Sequence, residues 1–304
     1  MLAASFACNI AVLFLPFMNL RAGIASNPYS LINSIKMLWN SGLYVLAVLV
    51  VGFSVVFPFA KLSVLAGICW AGRVDERSER LLGWVERFGK WSMLDVFIVC
   101  IILTLASSQI LVGAKPLAGI PVFVVAICLS ILAGEAIAGE QTELSGAHVL
   151  SRPLMMRGGA WLALSGLAFV ATVGLPFLRI RDWLLADKHY SIVTLIGALG
   201  REGAIIPAVI NGLFLVLAPL AVWILSVVWW WRLWRGRPAG KFPLWMERLR
   251  RWSMLDVFGL ALAVFLVEGG SLMNTEVRWG ALSLVALLVV QRIAEATLGK
   301  AFAG

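Results

Sequence analysis

One lysine sits where a charge is expensive. Lys61 follows Ser54 and Pro58 in a stretch, 42–71, that is otherwise apolar. It lies about ten residues, or roughly 15 Å of helix, from the end of that stretch, too deep for its ammonium to snorkel to water without strain. An ionisable group at such depth normally faces a partner or a water-filled cavity. Asp95 is the candidate partner, with Ser92 beside it and Ser130 on a later apolar stretch. A lysine and an aspartate in a low-dielectric notch can exchange a proton with modest pKa shifts, which is the chemistry of a step coupled to a proton gradient. The plainer alternative is an ion pair that only fixes packing. Pro58 has no N–H for the carbonyl of Ser54, so a kink and a free acceptor are expected one to two turns from the ammonium.

The elements that must position these groups are duplicated. The run Trp91-Ser92-Met93-Leu94-Asp95-Val96-Phe97 recurs letter for letter as Trp252-Ser253-Met254-Leu255-Asp256-Val257-Phe258, an offset of 161 residues. The same offset carries Tyr29 onto Tyr190, Pro58 onto Pro219, Trp70 onto Trp231, Trp84 onto Trp245 and Glu86-Arg87 onto Glu247-Arg248. With a slip of one residue, Leu15-Pro16-Phe17 meets Leu175-Pro176-Phe177, and Glu135-Ala136 meets Glu295-Ala296. A tandem repeat of one unit follows: 1–138, a linker 139–157, and 158–304. The duplication separates roles, because Asp95 is kept as Asp256 whereas Lys61 becomes Val222 and Ser54 becomes Leu215. Trp91, Trp252, Ser253 and Asp256 are therefore read as structural, the aspartates as first-turn residues that favour a helix dipole. The unrepeated Lys61 is the better functional candidate.

Hydrophobic residues make up 61% of the 304 positions and charged ones 13%, with a mean hydropathy of +0.94. That excludes a soluble domain of this size. Stretches able to cross the roughly 30 Å hydrocarbon core fall near 2–20, 42–71, 91–113, 117–138, 158–178, 203–231, 252–273 and 277–298. The expected fold is an all-α integral membrane protein with about eight transmembrane helices, arranged as two parallel four-helix repeats. No segments alternate in polarity as a β-barrel requires. The first stretch lacks a basic n-region and a small-residue cleavage site, so it reads as a retained helix. Fourteen Lys and Arg fall in the loops on one side, against eight on the other, which places both termini in the cytoplasm.

The net charge of +9 is then a matter of topology and anionic headgroups, with no nucleic-acid partner. Trp229, Trp230, Trp231 and Trp234 belong at a membrane interface, and Arg73–Lys90 and Leu244–Arg251 read as interfacial helices. Tyr29-Ser30-Leu31 and Tyr190-Ser191-Ile192 each open a short helix on the outer side, periplasmic or interfacial. Glu135, Glu295, Glu268 and Gln109 read as solvated helix ends, and His148 and His189 as solvated loop residues. Cys8, Cys69, Cys100 and Cys128 form no CxxC pair, so no metal and no cofactor are expected. A nucleotide-binding loop is absent, and the chain is not read as an enzyme.

On Phe57-Pro58-Phe59-Ala60-Lys61-Leu62, on Phe88-Gly89-Lys90 leading into the Trp91–Phe97 run, and on the second copy of that run, the chain resembles the paraquat-inducible protein A family. The resemblance spans both four-helix units. It implies an inner-membrane component of a bacterial envelope-spanning tunnel system, partnered by a periplasmic mammalian-cell-entry (MCE) domain protein and handling phospholipid. It also implies that Ser54, Lys61, Ser92 and Asp95 belong to a polar track. Many members carry four-cysteine zinc ribbons before each unit, and this chain has none. The expected function is loading or extraction of lipid, with proton movement as its energy source. Its rivals are a self-sufficient secondary transporter of a small amphipathic solute and a non-transporting envelope-stress scaffold.

Overall fold

The computed structural model describes residues 2–22, 25–40, 42, 44–71, 91, 94, 96–98, 100–101, 112–116, 119–138, 152–180, 188–201, 203–235, 242–269 and 275–303. By its internal contacts the chain divides into two units. One comprises Met1–Gln141 with Gly197–Ala208 and Leu260–Gly269; the other comprises Thr142–Ile196, Val209–Gly259 and Gly270–Gly304.

In the first unit, α1 (Leu2–Phe14) stops where Leu15 meets Pro16. Proline pushes the residue before it out of the helical region and offers no donor itself. The first apolar stretch, expected to be helical to residue 20, therefore turns at Phe14 into β1 (Pro16–Ala22), which pairs antiparallel with β2 (Ala25–Ser30). Much later β3 (Val112–Pro116) joins the other side of β1, giving the strand order β2-β1-β3. Pro28 and Pro116 both lie on the outer strands, and Pro16 is the first residue of the central one, the places where a missing N–H is tolerated.

Ser30 caps the next helix, α2 (Leu31–Asn40), its Oγ accepting from Asn33 N–H at 3.4 Å. Gly42, with φ +78°, then reverses the chain, as glycine does without steric cost. A long helix follows without a break: α3 (Tyr44–Val50), a π-helical segment Val51–Val56, and α4 (Phe57–Ala71). α5 (Gly119–Ala138) packs on α1 and α4.

The second copy repeats this order. α6 (Arg152–Gly174) ends before Leu175-Pro176 and begins inside the stretch read as linker. The strands β4 (Leu178–Ile180), β5 (Lys188–Tyr190) and β6 (Thr275–Val277) form a sheet in the order β5-β4-β6. His189 lies on β5 opposite Arg179, so its reading as a loop residue is corrected. Ser191 caps α7 (Ile192–Arg201), accepting from Thr194 N–H at 3.2 Å, and Gly203 has φ +76°. Then come α8 (Ile205–Asn211), a π-helical segment Gly212–Leu217 and α9 (Ala218–Trp234), followed by α10 (Phe242–Trp252), α11 (Leu255–Gly269) and α12 (Trp279–Ala303). α6 packs on α12 and α9 as α1 packs on α5 and α4.

The protein is helical, as expected, but two three-stranded sheets correct the all-α reading. Among the described residues, Ala47–Gly67, Met156–Gly174 and Ile205–Trp234 are long and apolar enough to cross a membrane, with shorter apolar helices at Ala3–Phe14 and Trp279–Ala294. Helix α6 is inside-out by the standards of a water-soluble fold: Leu167 and Val170 are 70% and 69% exposed while Ser165 and Thr172 are buried. The buried hydroxyls bond back to Leu162 O at 2.8 Å and Ala168 O at 2.7 Å, leaving the apolar face to lipid.

Candidate functional site

Within the first unit Lys61 is only 4% exposed. It lies on α4, which packs against α1 and α5, with Phe6 and Phe59 meeting edge to face at 5.4 Å across the α1–α4 seam. Among the described residues, other buried polar side chains of this unit are Ser54, and Ser5 and Asn9 one turn apart on α1. Ser5 Oγ donates to Ala126 O of α5 at 3.1 Å, and Asn9 Nδ2 to Ser5 O at 2.8 Å. The sequence reading passed over Ser5 and Asn9. Their signal is a pair of polar residues at i and i+4 in an apolar helix, with Ser5 repeated as Ser165.

Pro58 acts through the π-helical segment that precedes it. The Phe57 N–H reaches back five residues to Gly52 O, and the Ala218 N–H likewise to Leu213 O. Widening the helix in this way carries the proline ring past the preceding turn. In that register the carbonyl with no donor to meet is five residues before the proline: Phe214 in the second copy, and by the same count Phe53 in the first. The expectation of a free acceptor at Ser54, four residues before Pro58, is corrected accordingly. Ser54 is nevertheless buried, and its Oγ has no hydrogen-bond partner among the described residues.

In the second unit the acceptor is taken by the repeated motif. Met254 N–H donates to Phe214 O at 3.3 Å, and Trp252 stacks on Phe214 with centroids 5.9 Å apart. Ser253 N–H closes the end of α10 on Leu249 O and Arg250 O, each at 3.2 Å. Asp256 sits in the first turn of α11, with Val257 N–H donating to its Oδ1 at 3.0 Å. The motif thus joins two helices and docks them on the π-helical segment. In the first unit Trp91 stacks on Phe53 at 6.2 Å, the matching pair. Ser92 and Asp95 lie outside the described residues; Ser130 is on α5, its side chain likewise outside them. The pairing of Lys61 with Asp95 therefore stands as a proposal.

Val222, at the position matching Lys61, lines a cavity of about 150 Å³ within the second unit. Phe169 and Ser226, which match Asn9 and Leu65, line it too. The two copies thus hold different chemistry in one frame: a lysine and an asparagine in the first, a cavity bordered by Val222 and Phe169 in the second.

Membrane-length helices, buried hydroxyls and lipid-facing leucines define a multi-pass membrane protein built from two repeats. Residues 1–142 and 151–301 each match the family model for paraquat-inducible protein A, and the chain belongs to that family. Among curated proteins it is similar to the intermembrane transport protein PqiA of Escherichia coli K12, 27% identical over 108 residues, which is 34% of this chain and 26% of that protein. The intermembrane transport protein PqiA of Shigella flexneri matches to the same extent. The alignment spans about a quarter of the relatives' own length. No solved structure matches the chain significantly.

Proposed function

We propose that this protein is the inner-membrane component of a lipid transport system, loading or extracting phospholipid for a periplasmic MCE-domain partner and driven by proton movement through Lys61 and Asp95. The observation that carries the reading is a lysine almost wholly buried in a helix long and apolar enough to span the bilayer. Such a charge is costly, and its usual purpose is an ion or proton path. That the second repeat does without it argues that the fold does not need it. Family membership supports transport, as does the name of the E. coli relative, an intermembrane transport protein.

In the proposed cycle the ammonium of Lys61 gives up and regains a proton as Asp95 approaches and withdraws, and Ser54, beside the proline-widened turn, hydrogen-bonds the transient water or ammonium. The protein makes and breaks no covalent bond in its cargo. Both termini lie in the cytoplasm. The test is affinity isolation of the full chain from native membranes, followed by protein and lipid mass spectrometry. An MCE-domain protein and phospholipid should co-purify. Recovery of the chain alone, with a small amphipathic solute bound, overturns the reading in favour of a self-sufficient transporter.

A further inference from the structure

We infer that the cavity of the second unit is a binding site for one acyl chain of an anionic amphiphile, its acid group held by Arg250. The void has an identifiable origin. At the positions matching Lys61 and Leu65, both buried in the first unit, the second unit places the smaller Val222 and Ser226. The Ser226 hydroxyl is turned back on its own helix and its neighbour, donating to Val222 O at 2.8 Å and meeting Met246 Sδ at 3.1 Å. The wall left by Phe169, Val222 and Leu255 is apolar.

A cavity of about 150 Å³ with such a wall holds benzene in an engineered protein, so about half a dozen carbons fit here. That is part of one chain and excludes the paired chains of a diacyl lipid as a whole. Polar groups line the same space: Gln291 on α12 and Arg250 on α10. Arg250 is one turn from Met246, so the two share a face of the basic helix α10. A guanidinium offers five N–H donors in a fork that fits a carboxylate or phosphate, beside any protein acceptor it also serves. An apolar slot with a planar cation on its lining selects a long-chain acid over an alcohol or an alkane.

This site is independent of Lys61 and of any partner, so its failure leaves the transport reading standing. The test uses the full chain in nanodiscs of uncharged lipid and a photoreactive fatty acid. Crosslinks should map to the α9 peptide carrying Val222 and Ser226, and fall about tenfold in Ser226→Leu, which installs the residue the first unit tolerates. Val222→Phe fills the same space from another position and should do likewise. Arg250→Gln should weaken labelling by the acid about tenfold and leave the matching fatty alcohol unchanged. Competition by free oleate alone assigns the ligand to a fatty acid, and competition by phosphatidylglycerol vesicles assigns it to a membrane lipid inserting one chain; either supports the site. Undiminished labelling in both cavity-filling variants at unchanged thermal stability overturns it. Equal loss of acid and alcohol labelling in Arg250→Gln overturns the role of the arginine.

Discussion

Glycine and tryptophan fit together as hole and knob in the second unit. A Cβ built on Gly159 would lie 2.5 Å from the Trp230 ring, and one on Gly166 would lie 2.6 Å from Trp223. Both pairs are seven residues apart on their own helices, so α6 presents two notches and α9 two rings in the same register. Trp223 Nε1 also donates to Leu162 O at 3.0 Å. Gly166→Ala should therefore displace a rigid ring and destabilise the protein by about 1–3 kcal/mol. Gly174→Ala, where nothing lies within 4 Å, should leave stability unchanged or slightly raised. Thermal unfolding in detergent, followed by near-ultraviolet circular dichroism, measures both. The sequence showed Trp230 only as part of an aromatic crowd at an interface, with Trp229, Trp231 and Trp234, and did not single out Trp223. Trp234 is 65% exposed, as that reading expects, but Trp229 is 3% exposed and belongs to the packing. Indole rings one residue apart on an apolar helix look alike in sequence, and the facing helix decides which of them is buried.

At the scale of elements, the repeated proline and the repeated Trp-Ser-Met motif turn out to be two halves of one joint. Pro219 cannot donate to Phe214 O, and the amide of Met254 does so instead. Pro219→Ala supplies the missing N–H and gives that carbonyl a helical donor. The Met254 amide should then exchange hydrogen faster, by about tenfold, as expected for loss of one buried bond. Exchange at an unchanged rate would show that the proline does not create the acceptor. The proline signal was legible in sequence, whereas the five-residue register was not, because it depends on a donor that is distant along the chain. The helices after Ser30 and Ser191 were legible as matching semi-apolar segments, whereas the capping bonds of the two serines are seen in the structure. The strands went unread because Pro16, Pro28 and Pro116 argue against strands, and only the sheet order shows that they occupy tolerated places.

For the whole molecule, the duplication and the membrane class were legible because they depend on many residues at once, an identical seven-residue run and a mean hydropathy of +0.94. Which buried groups converge depends on tertiary geometry, and so Ser5, Asn9 and the cavity behind Val222 were missed. The excess of Lys and Arg on one side predicts that both termini face the cytoplasm. Fusions of a reporter active only in the periplasm, placed after Gly304 and within 181–187, should be silent at the first site and active at the second. Activity at the C-terminal fusion would overturn the expected topology.

The contrast between Lys61 and Val222 bears most directly on the central claim. On the proposed reading the Lys61 charge, kept in one repeat and dropped in the other, serves function rather than folding, so its removal should end activity. Complementation of a deletion strain by Lys61→Ala, with abundance followed by immunoblot, measures this. The variant should accumulate to a level readily detected, with lower abundance if it leaves the Asp95 carboxylate unpaired, and should fail to restore envelope function. Asp95→Ala should also fail, with lower abundance if it leaves the ammonium unpaired, while Asp256→Asn, whose repeat carries valine in place of the lysine, should be milder. Full activity of Lys61→Ala at normal abundance would contradict the account and reduce the buried lysine to a packing residue.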